Sequence, residues 1–254
     1  MSLSITLTRL RQLRLGAMAQ ALERQVEQPG TYEDLSFTER MGLIVERECI
    51  EREDRKQRRL IKEARFRLRA RLSDIDYSHP RNLKRSQIAP LAEGDWIERA
   101  RNLLITGPCG SGKTWLACAL GHNACLRGIK VRYYRISRLF LALAQAKTDG
   151  SYRRLLGQLA NTGLLVIDDW ALEKMTQPQR YDLMEIMDDR YGENSTVLIS
   201  QLPVSEWYGS IGDNTLADAI LDRIVHNSHR LELGGESMRK IVAEAEKRNS
   251  GENV

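Results

Sequence analysis

"GPCGSGKT", residues 107–114, follows the apolar run Leu103-Leu104-Ile105 and leads into a stretch of helical character that starts near Lys113. A strand, a glycine-rich turn and a helix in that order make a phosphate cradle, because G-x-x-x-x-G-K-[ST] lets successive backbone N–H groups turn inward around one anion. In this reading Gly107, Pro108, Cys109, Gly110, Ser111, Gly112 and Trp115 line the cradle. Lys113 reaches the β- and γ-phosphates, and Thr114 offers its hydroxyl to Mg²⁺. The positive end of the following helix adds to the attraction.

A cradle of this kind needs an acidic strand end to organise the metal. "LLVIDDW" supplies one: four apolar residues, then Asp168 and Asp169. Asp168 is the expected Mg²⁺ residue, and Asp169 the residue that polarises an attacking water. Asp169 is one methylene shorter than the glutamate more often used for that task. A third run, "STVLISQLP", ends in Ser200 and Gln201 at the carboxyl edge where a γ-phosphate would sit.

Leu103–Ile105, Val131–Tyr134, Leu164–Ile167 and Thr196–Ile199 are short buried-strand runs separated by helical stretches. That alternation predicts an α/β fold with a parallel sheet. Residues 1–72 have helical spacing throughout and predict a small all-helical domain, with Thr38 or Ser36 as an N-cap for its main helix. Residues 73–95, punctuated by Pro80 and Pro90, read as a linker, residues 96–245 as the nucleotide domain and 246–254 as a disordered polar tail.

The chain has 254 residues, 42% hydrophobic and 29% charged, and a net charge of +5. No apolar run approaches the roughly 20 residues that span a bilayer, and the N-terminus lacks the apolar core of a secretory signal. The sequence therefore predicts a cytoplasmic protein. Cys49, Cys109, Cys118 and Cys125 form no C-x-x-C pair, which argues against a structural metal or a disulfide framework. The charge is uneven. "RKQRRLIKEARFRLRAR", residues 55–71, sets nine cations against Glu63 alone. As a helix through Leu72 it would bury Leu60, Ala64, Leu68 and Leu72 on one stripe and present cations on the other. Arg55, Arg58, Arg59, Lys62, Arg65 and Arg69 are the candidate phosphate contacts to DNA, and the scarcity of aromatics nearby favours duplex over single strands.

Taken in order, "GPCGSGKTWLACALGHNACLRGIKVRYY", "GLLVIDDWAL" and "STVLISQLPVSEWY...LADAILDRIVHNSHRLELGGESMRK" resemble the AAA+ ATPases, and within them the IstB-like transposition helper ATPases, cousins of the DnaC-type helicase loaders. The resemblance implies a sheet ordered 5-1-4-3-2 without a full C-terminal lid. It places Gln201 at the sensor-1 position, where relatives usually carry asparagine, Arg223 as an arginine finger reaching a neighbouring subunit, and Arg239 as sensor 2. It further implies ATP and Mg²⁺ as cofactors, assembly of a homo-oligomer on double-stranded DNA and a transposase as partner. A replicative helicase loader is the alternative expectation, and a nucleotide-gated scaffold that does not hydrolyse ATP a third.

Overall fold

The computed structural model describes residues 2–238 and 240, and the chain divides into two units, Met1–Arg59 and Leu60–Val254. The first contains α1 (Leu3–Gln12), α2 (Gly16–Glu27) and most of α3 (Phe37–Ala64). Ser36 caps α3: the Glu39 amide donates to Ser36 Oγ at 3.3 Å, and the Ser36 amide donates to Glu39 Oε2 at 2.8 Å. This reciprocal pair is a capping box and selects Ser36 over Thr38 as the start. Within the unit the buried Glu48 of α3 accepts from the Ala17 and Met18 amides at 3.0 and 3.2 Å, closing the N-terminus of α2. Its other oxygen takes Arg52 at 2.9 Å.

α3 stops at Ala64, and the single helix expected through Leu72 does not form. Arg65 turns left-handed (φ 56°), which ends the helical ladder. The turn lays Phe66 against Gly121, whose added Cβ would stand 2.6 Å from the ring, and sends Ala70 and Ile75 into the core. Leu68, expected on the buried stripe of a straight helix, is instead exposed, because the chain has already left the helix at Arg65. The expected linker also differs. It contains α4 (Arg85–Glu93), which buries Ile88 and Leu91 and tolerates Pro90 at the cost of one helical hydrogen bond.

After α5 (Asp95–Glu98) the second unit alternates β1 (Asn102–Thr106), α6 (Lys113–Leu126), β2 (Val131–Arg135), α7 (Ile136–Thr148), α8 (Tyr152–Ala160), β3 (Leu164–Trp170), α9 (Gln177–Arg190), β4 (Ser195–Ser200), α10 (Trp207–Ile211), α11 (Asn214–Val225) and β5 (Ser228–Glu232). All strands pair in parallel, in the order β2-β3-β4-β1-β5. Read from the other edge this is 5-1-4-3-2, as expected.

The strands' side chains alternate between two cores. Leu103, Ile105, Val166 and Ile199 face α6 and α4, while Leu104, Leu165, Ile167 and Leu198 face α7, α9 and α11. Covering both faces explains why the strands are continuously apolar. Each fully buried aliphatic side chain contributes roughly 1.5–3 kcal/mol. A cation, Arg190, is buried beside this core. Arg190, at the end of α9, donates to Thr196 Oγ1 (3.0 Å) and to the carbonyls of Leu159 (2.5 Å), Thr162 (2.7 Å) and Ser195. Burial lowers its pKa to about 9.

Candidate nucleotide site

The turn after β1 folds back on itself because its glycines take values that side chains avoid. Gly107, Gly110 and Gly112 have φ of 139°, 82° and 93°. A Cβ on Gly107 would collide with the Leu233 carbonyl oxygen, and one on Gly110 with Ser237 Oγ. The segment after β5 thus packs directly on the turn, and the Met238 amide donates to the Gly110 carbonyl at 2.9 Å. Lys113 opens α6 and donates to the Gly107 and Pro108 carbonyls, both at 2.7 Å, so the loop closes into a ring around its own ammonium. The buried Ser111 hydroxyl has no partner among the described residues.

The acids come from β3, where the pairing with β4 slips between Ile167 and Trp170. Asp169 stands at φ 59° inside this irregularity, so consecutive carboxylates diverge. Asp168 is almost fully buried and held by three donors. Thr114 Oγ1 (2.9 Å) and Tyr133 Oη (2.6 Å) donate to its Oδ2, and the Asp169 amide (2.8 Å) donates to its Oδ1. Burial first, and the bond to Asp168 second, push the Tyr133 phenol above its usual value, so it stays a protonated donor. Asp169 Oδ2 pairs with Arg135 Nε at 2.6 Å, a hydrogen bond that raises the Arg135 pKa.

Lys113, Thr114, Trp115, Asp168, Asp169 and Gln201 surround one cavity of about 890 Å³. The Thr114 hydroxyl and the Asp168 carboxylate suit Mg²⁺, a hard cation held by one or two protein oxygens together with phosphates and water. Among the described residues no cluster of three or more His, Cys, Asp or Glu competes with this arrangement.

Other expected site residues lie elsewhere. Arg223, near the end of α11, pairs with Asp188 at 2.7 Å, and its carbonyl accepts from Asn102 at the start of β1. It therefore stands at the end of the sheet opposite the glycine turn. Arg239 and the tail 246–254 lie outside the described residues. Arg55, Arg58, Arg59 and Lys62 are exposed on α3, and Arg65 and Arg69 are exposed beyond its end. Their neighbour Arg67, one of the nine cations of residues 55–71, lines the cavity. Sequence reasoning missed Tyr133, Arg135 and Arg81. The first two stand two apart on a recognisable strand, a period-2 signal, but which acids they meet depends on the pairing of β2 with β3.

The family of IstB-like ATP binding proteins matches residues 8–245, across both units. The chain belongs to this family. An IstB-like relative, an insertion sequence ATP-binding protein of Sinorhizobium fredii, is 48% identical over 92% of this chain and 96% of its own. The crystal structure of DnaI superposes with a TM-score of 0.56 at 20% identity, over 71% of this chain and 92% of that one. A crystal structure of the DnaC helicase loader gives 0.51 at 21% identity, over 62% and 94%. These likenesses establish the AAA+ fold, and the IstB-like family establishes ATP binding. Among the described residues, no helix is long and apolar enough to cross a membrane.

Proposed function

We propose that this protein is a Mg²⁺-dependent ATPase that assembles as a homo-oligomer, ring or helix, on target duplex DNA in the cytoplasm and recruits or activates a partner transposase during insertion-sequence transposition. The observation that carries the reading is the extent of the match to the insertion-sequence relative, which takes in the cationic α3 region as well as the ATP site.

In this reading Gly107 and Pro108 shape the turn, the backbone amides of residues 109–115 and the Lys113 ammonium bind the phosphates, and Arg239 is the sensor-2 cation. Thr114 and Asp168 would hold Mg²⁺, which would supply positive charge to offset the negative charge that develops during phosphoryl transfer. Tyr133 keeps the Asp168 carboxylate in place. Asp169, with Oδ2 engaged by Arg135, uses Oδ1 to orient the attacking water, and Gln201 contacts the γ-phosphate. Arg223, remote from its own cavity, completes a neighbour's site, so ATP binding and assembly become one equilibrium. Arg55, Arg58, Arg59, Lys62, Arg65 and Arg69 contact phosphates of the duplex.

The test is fluorescence anisotropy on long labelled duplex and single-stranded DNA with ATP, with ADP, and with Lys113→Ala protein. Cooperative, ATP-dependent binding that favours duplex and fails in the variant is expected. Preference for single strands would transfer the reading to a helicase loader, and indifference to nucleotide would exclude both.

A further inference from the structure

Arg81 is a buried cation with too few partners. It is only 5% exposed, and desolvation lowers its pKa. Nη2 donates to the Asp76 carbonyl at 2.9 Å, while Nε is buried without a partner among the described residues. The Asp76 carboxylate, whose charge acts on Arg81, is engaged by the Ser78 amide and hydroxyl at 2.8 and 2.7 Å and by His79 at 3.2 Å. No ion pair reaches Arg81 among the described residues. A guanidinium carries five donors, and burying it underused costs several kcal/mol.

Its position makes the cost greater. Nη1 lies 2.7 Å from the point a Cβ on Gly112 would occupy, and Gly112 is the N-cap of α6. The guanidinium therefore sits against the positive end of a 14-residue helix and lines the same cavity as Lys113. The chain around it is fixed on both sides. The Arg81 amide donates to the His79 carbonyl at 2.8 Å, and the Gly234 amide donates to the Arg81 carbonyl at 3.0 Å. A cation held beside another positive centre, with donors to spare, is arranged for an anion that enters both fields.

We propose that Arg81 is a nucleotide-binding residue, which donates to a phosphate oxygen of the nucleotide from the segment preceding β1. This rests on the nucleotide reading of the cavity and adds to it a cation outside the glycine-rich motif. Charge-assisted hydrogen bonds to phosphate are the strong ones, and losing one weakens binding by about tenfold or more.

Arg81→Gln and Arg81→Lys should be compared with wild type by titration of fluorescent ATP and ADP and by thermal unfolding with and without ATP. Arg81→Gln is expected to lose about tenfold in affinity for both nucleotides, while the nucleotide-free protein melts no lower than wild type, since a desolvated cation has been removed. Arg81→Lys, which keeps the charge, should recover part of the loss. Affinity within about twofold of wild type in Arg81→Gln would overturn the proposal. So would a loss that comes with a lower melting temperature of the nucleotide-free protein and that Lys does not relieve, because Arg81 would then be structural. Wild-type protein that fails to bind ATP would instead sink the nucleotide reading itself.

Discussion

Asp168 is the residue on which the candidate chemistry turns, and its neighbours explain its geometry. Two hydroxyls and one amide fix both carboxylate oxygens, so the group enters its task already oriented. Tyr133 is the buried member of that set, and removing its hydroxyl should loosen Asp168 without emptying the core. Tyr133→Phe is expected to raise the Mg²⁺ concentration that supports half-maximal phosphate release and to slow turnover by about tenfold, the loss of one hydrogen bond to a charged group. Nucleotide affinity without Mg²⁺ should stay the same. A variant with the wild-type Mg²⁺ dependence would remove Tyr133 from the site. At this scale the sequence was readable wherever chemistry is encoded by spacing, as in residues 107–114. It was unreadable for Tyr133, Arg135 and Arg81, whose surroundings are set by strand pairing or by the irregular segment before α4. The shortness of Asp169 also acquires a physical account: at φ 59° aspartate is tolerated better than most side chains.

Elements carry the stability. Glu48 ties α3 to the N-terminus of α2. Burial alone would raise its pKa, but the bonds from Arg52 and from the Met18 and Ala17 amides outweigh that and lower it. A carboxyl lowered on folding contributes stability above its unfolded value, about 4.3. That contribution disappears as pH falls through the folded value. Glu48→Gln should thus cost about 1–2 kcal/mol near neutral pH, and urea denaturation should find the variant and wild type converging in acid. A gap that persisted unchanged in acid would mean the carboxylate charge is irrelevant. Arg190→Leu should cost more, about 3 kcal/mol in the same assay, because the carbonyls of Leu159, Thr162 and Ser195 would lose their donor inside the core. The four apolar strands were legible because burial on both faces leaves an unbroken run of Val, Leu and Ile. β5 was not, since Leu231 alone among its residues is buried. The end of α3 and the presence of α4 escaped for a related reason: helical spacing continued past Ala64, and Pro90 hid a short helix whose Ile88 and Leu91 are buried.

For the molecule as a whole, placing Arg223 at the far end of the sheet separates two properties that one pocket would couple. Arg223→Ala should abolish steady-state phosphate release and leave ATP affinity close to wild type. Equal loss of both would assign Arg223 to its own subunit's pocket. The ion pair it breaks, with Asp188, is partly exposed and costs at most about 1 kcal/mol. DNA affinity should respond to charges that are not already spent. Arg55 pairs with Glu48 and Glu51, and Arg58 with Asp54. Arg59, Lys62, Arg65 and Arg69 have no ion pair among the described residues. Four phosphate contacts predict a slope of log affinity against log salt of about −4. A slope near zero would remove these residues from the interface.

The sheet's own borders bear on how copies of this chain can meet. β2 and β5 end the sheet, and edge strands ordinarily invite a strand from another molecule. Arg132 lies on one border strand and Arg230 on the other, so each edge carries a cation of the kind that disfavours edge-to-edge pairing. In the assembly proposed above, these edge charges would act against fusion of neighbouring copies into a continuous β-structure, so that subunits stay free to part.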